Sequence, residues 1–426
     1  MLTFIIKIIL LISFLFSQNQ NFQNFEITTE NGFYSSPMFI HLSSFSGHYM
    51  VIIDEELRVP WYISSGPLGF DFKVNQDKIS FFDKGDPDQW IIMDENMSHV
   101  DTLTCTNEQE PDYHDIQILS DGGYILQSYD STFFDMSTLI DGGFPNTLIL
   151  GLLIQEFDVS KNLIFEWKAW DRLNIVDYTN IDLTDQVIRW MHGNSIEVDY
   201  DQNLLISNRL SSEVIKIDRQ TGETIWHMGG PLNEFTFIND PYGGFQKQHD
   251  VRRLDNGNIT LYDNGNTHLI PLSRALEYSI NENEKTAELV WSFSHPENLV
   301  GVSMGSVQRL SNNNTLISWG NVTGRGAIIT EVDIQGNIVL EIEFPFGYSN
   351  YKVRKNDWDF NSNLIIGDIN QDNSVDIFDL FYVIDYGDLE NDHHSVFHLF
   401  YYDLNRDNDI NLEDVFSVSS AILYDD

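Results

Sequence analysis

Short alternations of apolar and polar residues dominate the chain from about residue 25 to residue 361. Alternation with a period of two predicts β-strands that bury one face. Turn signals such as Thr221-Gly222, Asn256-Gly257 and Gln335-Gly336 separate the alternations,. No stretch there has a convincing amphipathic helical pattern. The pattern therefore predicts a mostly β protein. Clear examples of the alternation are 49–54, 123–128, 213–218 and 328–333.

One hairpin pattern, clearest at residues 249–265, recurs along the chain. A polar or histidine start leads into a short strand, an Asn/Asp-Gly type turn and a second strand,. Copies begin at residues 114, 192, 249 and 305, so they are 78, 57 and 56 residues apart. Three copies start with His114, His192 and His249, which we assign to the same register, with a turn two residues longer in the copy at 192. The fourth copy has Gly305 instead.

Each later repeat continues with a strand that carries Trp or Phe, as in 223–226, 288–293 and 339–344. Four short antiparallel strands per repeat are typical of a β-propeller blade. About 340 residues at about 56 per blade predict about six blades. A β-sandwich array is the alternative, but it does not explain a histidine that returns at a fixed position. In a propeller the first strand of each blade lines the central channel, so the three histidines should converge there.

Charge and cysteine content restrict the function further. The 426 residues contain 23 Lys and Arg and 65 Asp and Glu, for a formal net charge of −42. Such a field repels nucleic acid and anionic membranes. It suits a secreted protein in a salty medium, a calcium-binding protein, or a surface adapted for solubility. The single cysteine, Cys105, excludes an internal disulfide, and we assign it to an ordinary strand.

The first 17 residues combine one lysine with an apolar run too short to span a bilayer stably,. This predicts a secretory signal peptide cleaved near Ser17, with an uncleaved anchor as the alternative. We expect a secreted protein, extracellular or periplasmic, that does not associate with the membrane after cleavage. The first domain is then predicted at residues 25–361.

Residues 364–426 differ in composition and contain two acidic loops, 368–379 and 403–414, each followed by an apolar segment. Oxygen ligands at loop positions 1, 3, 5, 9 and 12, with a backbone carbonyl at position 7, suit Ca²⁺. Position 6 is Asn373 or Asn408, and asparagine tolerates the left-handed backbone needed there. The predicted ligands are Asp368, Asn370, Asp372, Ser374, Asp376, Asp379, Asp403, Asn405, Asp407, Asp409, Asn411 and Asp414.

This paired arrangement resembles a dockerin domain. The resemblance implies two Ca²⁺ ions in a small helical module related to EF-hands, and docking onto a cohesin-like partner through residues 364–426. Such modules occur in assemblies that act on polysaccharides. The segment 385–402 between the loops is long and contains His393, His394 and His398. These three could bind a transition metal, but a solvated linker surface is the simpler interpretation.

The three channel histidines are the main chemical candidates. Near neutral pH an imidazole can exchange a proton, bind an anion or act as a nucleophile. The neighbouring Asp115 and Asp250 could cap their strands, or they could join the histidines in a metal site. Each histidine alone would more often be structural, and it is the group of three that favours function.

Several motifs in order resemble the arylsulfotransferase family, over residues 30–356. They include His192-Gly-Asn-Ser-Ile196, Ser207-Asn-Arg209, Gln248-His-Asp-Val251 and Ser273-Arg-Ala-Leu-Glu-Tyr278. The resemblance implies a six-bladed propeller that moves a sulfuryl group from an aryl sulfate to a phenol through a sulfated histidine, without a nucleotide cofactor. It implies that His192 and His249 lie in the sulfate pocket, with Asn194, Arg209 and Arg274 as candidate anion ligands.

Within this resemblance we assign the nucleophile to His249, in the best-formed repeat, with His192 and His114 as its catalytic partners. Arg209 and Arg274 could equally be struts between blades, and His295 is a weaker candidate that suits a blade junction. The missing histidine at Gly305 leaves a second hypothesis open. In that hypothesis the propeller is not catalytic and binds a sulfated or phenolic glycan in a calcium-dependent extracellular assembly.

Overall fold

A computed structural model describes residues 25–44, 47–59, 61–64, 69–95 and 97–358. These residues form six mainly antiparallel sheets of four or five strands. In chain order the strands are β1 (Glu26–Glu30), β2 (Met38–Ser44), β3 (Gly47–Ile53), β4 (Trp61–Ser64), β5 (Phe70–Asn75), β6 (Lys78–Asp83), β7 (Gln89–Met93), β8 (His99–Leu103), β9 (Pro111–Ile118), β10 (Tyr124–Phe134), β11 (Thr147–Phe157), β12 (Leu163–Lys168), β13 (Val187–Arg189), β14 (Gly193–Val198), β15 (Leu204–Asn208), β16 (Glu213–Ile217), β17 (Thr224–Gly229), β18 (Thr236–Ile238), β19 (His249–Arg253), β20 (Ile259–Asp263), β21 (Arg274–Asn281), β22 (Thr286–Phe293), β23 (Ser306–Arg309), β24 (Thr315–Ser318), β25 (Ile328–Val332), β26 (Ile338–Glu343) and β27 (Ser349–Lys355).

The six sheets are the blades of a propeller, as predicted, and the sandwich alternative is wrong. Blade 1 has the order β27-β2-β3-β4 from the inside out. Blades 2, 3 and 4 are β5–β8, β9–β12 and β14–β17, and blades 5 and 6 are β19–β22 and β23–β26. β13 and β18 add parallel to β11 and β22, and β1 adds to the outer edge of blade 6. The inner strands β27, β5, β9, β14, β19 and β23 are neighbours around one axis.

Helices are short, as the sequence pattern predicts. The described ranges contain one α-helical turn, Ala169–Arg172, and two 3₁₀ turns, Met136–Thr138 and Ile175–Asp177. None of the described helices has the length and apolarity needed to cross a bilayer.

Apolar side chains pack between adjacent blades. Trp226, in the outer strand of blade 4, is fully buried against the strands of blade 5. Trp226 is one of the aromatic residues that the repeat pattern has in its closing strands. Cys105 is a buried free thiol that packs against the first strands of blade 3. Burial raises the pKa of this thiol to about 12.

The ring closes because the last described strand, β27, is the inner strand of the first blade. β27 pairs antiparallel with β2, which is among the first described strands. The pairing runs from Met38 opposite Lys355 to Ser43 opposite Ser349. Lys355 Nζ lies 2.7 Å from Glu331 Oε2 of blade 6, and both side chains are fully buried. Glu331 Oε1 also accepts hydrogen bonds from the Tyr34 N–H and Asn314 Nδ2. Glu331 therefore joins the start of the chain, blade 6 and the closing strand.

Two predicted segments lie outside the described residues. The signal peptide at 1–17 precedes them, and both calcium loops with the histidine-bearing segment between them follow residue 358. The dockerin-like module and its Ca²⁺ ligands stay predictions.

We expect Glu331→Ala to lower the free energy of unfolding by about 3–5 kcal/mol, because it leaves the Lys355 ammonium buried without a counter-ion, with the Tyr34 carbonyl as its remaining acceptor,. Denaturant unfolding of the variant and the parent measures the difference. Glu284→Ala, which removes an exposed carboxylate, is the matched control and should change stability by less than about 0.5 kcal/mol,. Equal midpoints for all three proteins would show that the blade closure does not depend on this pair.

Candidate active site at the mouth of the channel

One hydrogen bond repeats between the inner strands of successive blades. The backbone N–H groups of Ile196, Val251, Val307 and Val353 donate to side-chain oxygens one blade earlier, at 3.0–3.1 Å. The acceptors are Asp115 Oδ2, Ser195 Oγ, Asp250 Oδ2 and Ser306 Oγ, all buried. The four acceptors occupy equivalent positions in blades 3 to 6. They fix the register of each inner strand against the next.

This register corrects the assignment of the three histidines. His114 and His249 directly precede an acceptor and lie four residues before the last paired residue of their strands, Ile118 and Arg253. His192 lies six residues before Val198, and the turns after all three strands have five residues. The extra two residues are therefore in the strand and not in the turn. The equivalent residue in blade 4 is Asn194, and His192 reaches the mouth from the segment before β14.

The fourth repeat has no space for a histidine. Gly305 has φ +102°, a conformation that favours glycine,. A Cβ atom there would lie 2.4 Å from the ring of Tyr262. The absence of a fourth histidine therefore reflects the packing of Tyr262.

His249 is held as a neutral imidazole with a defined tautomer. Its Nδ1 lies 2.6 Å from Asn264 Oδ1, while Asn264 Nδ2 donates to the carbonyls of Gly301 and Met304. Because that amide oxygen can only accept, Nδ1 carries the proton and Nε2 has the lone pair. Nε2 accepts one long hydrogen bond, 3.2 Å, from the Met304 N–H. Burial, and then the charge of Arg209, lower the pKa of His249 well below its usual value.

His114 has a carboxylate partner instead. Its Nδ1 lies 2.5 Å from Asp112 Oδ1, and Asp112 also accepts a hydrogen bond from Gln127. Burial would raise the pKa of Asp112, but the charge and hydrogen bonds of His114 lower it overall. Asp112 thus fixes the orientation of the His114 ring through Nδ1,.

His192 lies edge-on to His114, with ring centroids 4.5 Å apart. Its Nδ1 lies 3.3 Å from the Tyr129 hydroxyl, and within the described ranges its Nε2 makes no hydrogen bond. Burial, and then the charge of His114, lower the pKa of His192 to about 3. The convergence of the three histidines at one channel mouth, predicted from the repeats, is therefore present in the structure. We call His114, His192 and His249 the histidine cluster.

Arg209 supplies positive charge to the histidine cluster without a carboxylate partner in the described residues. Its Nη2 donates to the Val302 carbonyl at 2.9 Å, and its buried Nε has no partner in the same residues. Lys247 is close, because its Nζ donates to the carbonyl of Leu210, the residue adjacent to Arg209, at 2.6 Å. Burial, and then the charge of Arg209, lower the pKa of Lys247. Two half-buried cations without counter-ions can bind an anion.

An aromatic wall adjoins the cluster on the side of blades 1 to 3. Tyr113 stacks on His114 at 4.1 Å between centroids, and Phe70 lies 4.6 Å from Tyr113. Phe70 occupies in blade 2 the position that His114 has in blade 3. The wall offers apolar and π surfaces to an aryl ring. Sequence reasoning missed it, although the inner-strand register would have identified Phe70.

Two further histidines, also missed, extend this wall. His41 packs against Phe70 at 4.4 Å, and its Nε2 lies 3.3 Å from His48 Nδ1. Both belong to the β2–β3 hairpin, whose sequence lacks the repeated pattern. Burial, and then the charge of His48, lower the pKa of His41 to about 3.

Beneath the histidine cluster, a buried ion network closes the channel axis. Asp115 contacts Lys73 at 2.6 Å, Arg252 at 2.8 Å and Lys352 at 3.7 Å, and Asp250 contacts Arg252 and Arg354. Burial would raise the pKa of Asp115, but Arg252, Lys352 and Lys73 lower it well below its usual value. Lys352 Nζ also donates to the His114 carbonyl at 2.6 Å. Asp115 and Asp250 thus connect blades 1, 2, 3 and 5 through ion pairs.

The ion pairs of Asp115 and Asp250 bear on the alternative in which these carboxylates join the histidines in a metal site. The described residues contain no group of three or more His, Cys, Asp and Glu side chains placed to hold a metal ion. The carboxylates beside His114 and His249 point into the cationic network instead.

Two predicted anion ligands, Arg274 and Asn194, form hydrogen bonds to other groups of the protein instead. Arg274 starts β21, outside the inner strands, and donates to Asp263 at 2.7 and 2.9 Å, to Asp240 at 2.8 Å and to the Gly244 carbonyl. All these partners belong to blade 5 or to the loop before β19, so Arg274 supports its own blade and is not a strut between blades. Asn194 is buried at the channel, but its Nδ2 donates to the Gln248 carbonyl at 2.7 Å. His295 bonds Glu341 at 2.8 Å between blades 5 and 6, as its junction assignment predicts.

The fold and this site define a class: a six-bladed β-propeller with a histidine- and arginine-bearing channel mouth. The sequence profile described as arylsulfotransferase (ASST) matches residues 89–345, more than half of the chain. The chain belongs to the arylsulfotransferase (ASST) family. No curated protein matches it.

Solved structures resemble the chain only distantly. A Bacteroides caccae protein of unknown function is 13% identical with a TM-score of 0.47, over 75% of this chain and 98% of that one. A catalytically inactive variant of virginiamycin B lyase from Staphylococcus aureus, with quinupristin, is 9% identical with a TM-score of 0.39, over 76% and 89%. The Malassezia sympodialis allergen Mala s 1 is 9% identical with a TM-score of 0.35, over 69% and 94%.

We expect stability to fall as the pH drops below about 6.5, in part through His41. The unfolded chain binds a proton near pH 6.5, but folded His41 does so only near pH 3. Each pH unit inside that window therefore costs up to about 1.4 kcal/mol. Between pH 6.5 and 5, His41→Gln should lose up to about 2 kcal/mol less stability than the parent. Denaturant unfolding across this range measures both slopes, and identical slopes would contradict the buried neutral state of His41.

Proposed function

We propose that this protein transfers a sulfuryl group from an aryl sulfate to a phenol through a covalent intermediate on His249. Membership of the arylsulfotransferase family supports the reaction class. The observation that carries the role of His249 is its tautomer: Asn264 holds the proton on Nδ1, so the Nε2 lone pair is available at neutral pH.

In the first step, His249 Nε2 attacks the sulfur of the donor, and the bond from sulfur to the aryl oxygen breaks. The electron pair leaves with the phenolate, which needs a proton. His114, held by Asp112, is placed to supply it,. In the second step the acceptor phenol attacks the same sulfur, the S–N bond breaks, and His114 takes the phenolic proton.

The sulfuryl oxygens need hydrogen-bond donors as charge redistributes between nucleophile and leaving group. Arg209 supplies a guanidinium whose charge acts on both His249 and His192. His192 Nε2 can donate if the Tyr129 hydroxyl donates to its Nδ1,. The Met304 N–H donates to His249 Nε2 in the free protein. Once that nitrogen is sulfated, the same N–H can donate to a sulfuryl oxygen. Phe70 and Tyr113 provide a surface for the acceptor ring.

We expect His249→Ala to lower transfer from nitrophenyl sulfate to phenol by at least about a thousandfold, because it removes the nucleophile. Product release is followed by absorbance, and mass spectrometry of the quenched parent should show a sulfuryl adduct on the peptide with His249. His99→Gln, on outer strand β8, is the control and should retain parent activity.

Two outcomes would contradict this mechanism. Full activity in His249→Ala would exclude this nucleophile. A parent that binds aryl sulfates without turning them over would support the alternative, a propeller that only binds sulfated or phenolic ligands.

We further propose that the enzyme is secreted and is tethered through residues 364–426, which hold two Ca²⁺ ions and dock onto a cohesin-like partner. The support is the sequence alone: two twelve-residue loops with the same ligand spacing,. The net charge of −42 is compatible with cation binding.

Calorimetry of the full chain with Ca²⁺ should give two binding events, and Asp368→Ala should remove one by deleting the first ligand of the first loop. Asp182→Ala, which alters an exposed carboxylate of the propeller, is the control. Absence of binding heat in the chelator-treated parent would refute the loop assignment.

A further inference from the structure

Unpaired cations are rare in this acidic chain, and their positions are uneven. Of its 23 Lys and Arg residues, all except Lys7 and Arg406 lie within the described ranges. Seventeen of those described contact a carboxylate. Four have no carboxylate partner among the described residues: Lys84, Arg189, Arg209 and Lys247.

Three of these four surround the histidine cluster. The charge of Arg209 lowers the pKa of His249, His192 and Lys247. Arg189 lies three residues before His192 in the sequence. Strand pairing places it on the face of blade 3 that also carries Tyr129, because Arg189 is opposite Leu150 and Leu150 is opposite Ser131,. Lys84, the fourth, is an exposed residue after β6, in blade 2. With 65 carboxylates in the sequence, three cations left unpaired at one site indicate an anionic occupant,.

The three cations form two groups on different sides of His192. Arg209 and Lys247 are half-buried, and each lies near the other without a counter-ion between them. The single negative charge of a sulfuryl group at His249 would lie beside both of these cations. Arg189 is exposed, and it shares a face of blade 3 with Tyr129, whose hydroxyl lies 3.3 Å from His192 Nδ1.

A strand holds Arg189 in place. β13 is an addition to blade 3, hydrogen-bonded parallel to β11, with Arg189 opposite Leu150. The flanking Ile188 and Trp190 are buried, so the backbone on both sides of Arg189 is anchored. The guanidinium is therefore placed beside the mouth at a lower entropic cost than on a loose loop.

We propose that Arg189 forms a second anionic subsite, so that the preferred substrates are aryl sulfates with a second anionic group, a carboxylate or another sulfate, on the ring. This inference rests on the proposed function. The sulfate to be transferred binds at Arg209 and Lys247. The aryl ring lies past His192 along Tyr129, and its second anion faces Arg189. A dianion would otherwise be strongly repelled by the charge of the chain,.

The test compares phenyl sulfate with 4-sulfooxybenzoate as donors, at low ionic strength and with a common phenol acceptor. We expect a kcat/KM ratio about three- to tenfold in favour of the dianion, the range for one solvent-accessible charged hydrogen bond. Arg189→Gln should bring that ratio close to one, and added salt should weaken the preference of the parent. Lys84→Gln, which removes the unpaired cation distant from the cluster, should keep the ratio of the parent.

A kcat/KM ratio of one in the parent, or a ratio unchanged in Arg189→Gln, would overturn the second subsite. The proposed function would still stand if the parent transfers the sulfuryl group from phenyl sulfate. If neither donor reacts, the proposed function fails, and binding still tests the subsite. Calorimetry would then compare benzenesulfonate with 1,3-benzenedisulfonate. Tighter binding of the disulfonate that is lost in Arg189→Gln supports the subsite, and equal affinities overturn it.

Discussion

A buried side-chain oxygen at one position of four inner strands, those of blades 3 to 6, is the constraint on which the channel depends. Asp115, Ser195, Asp250 and Ser306 each accept a backbone N–H from the following blade. A shift of one residue in any inner strand would leave a buried N–H unsatisfied and turn its side chains to the wrong face. The residue before each acceptor is therefore directed to the mouth, which is why His114 and His249 face the same space. The two carboxylates also bind the cations that close the axis.

Much of this architecture could be predicted from the sequence, because strand periodicity and turn residues are local signals. The strand-rich pattern, the six blades and the convergence of the histidines all follow from them. The register of His192 could not be predicted in this way. Its extra two residues could belong to the turn or to the strand, and only the pairing of Val198 with Leu204 decides between them.

The sequence also could not show which charged side chains are neutralised in the fold. Arg209 and Arg274 have similar local surroundings in sequence, next to Asn208 and Ser273. In the fold, Arg274 meets Asp240 and Asp263, while Arg209 meets a carbonyl and the histidines. A cation is available for an anionic ligand only when distant segments fail to neutralise it, and distant contacts have no local signal. The same holds for Phe70, whose place beside Tyr113 depends on two blades.

The path of the closing strand has a consequence for how the protein could be attached to other molecules. β27 begins at Ser349, near the level of the histidine cluster, and runs to Lys355 at the other end of the channel. Trp358 then packs against Phe39, at the start of β2. Trp358, the last described residue, therefore lies at the face opposite the mouth. For a partner bound as proposed above, the covalent connection to the propeller begins on that face and not beside the substrate entrance.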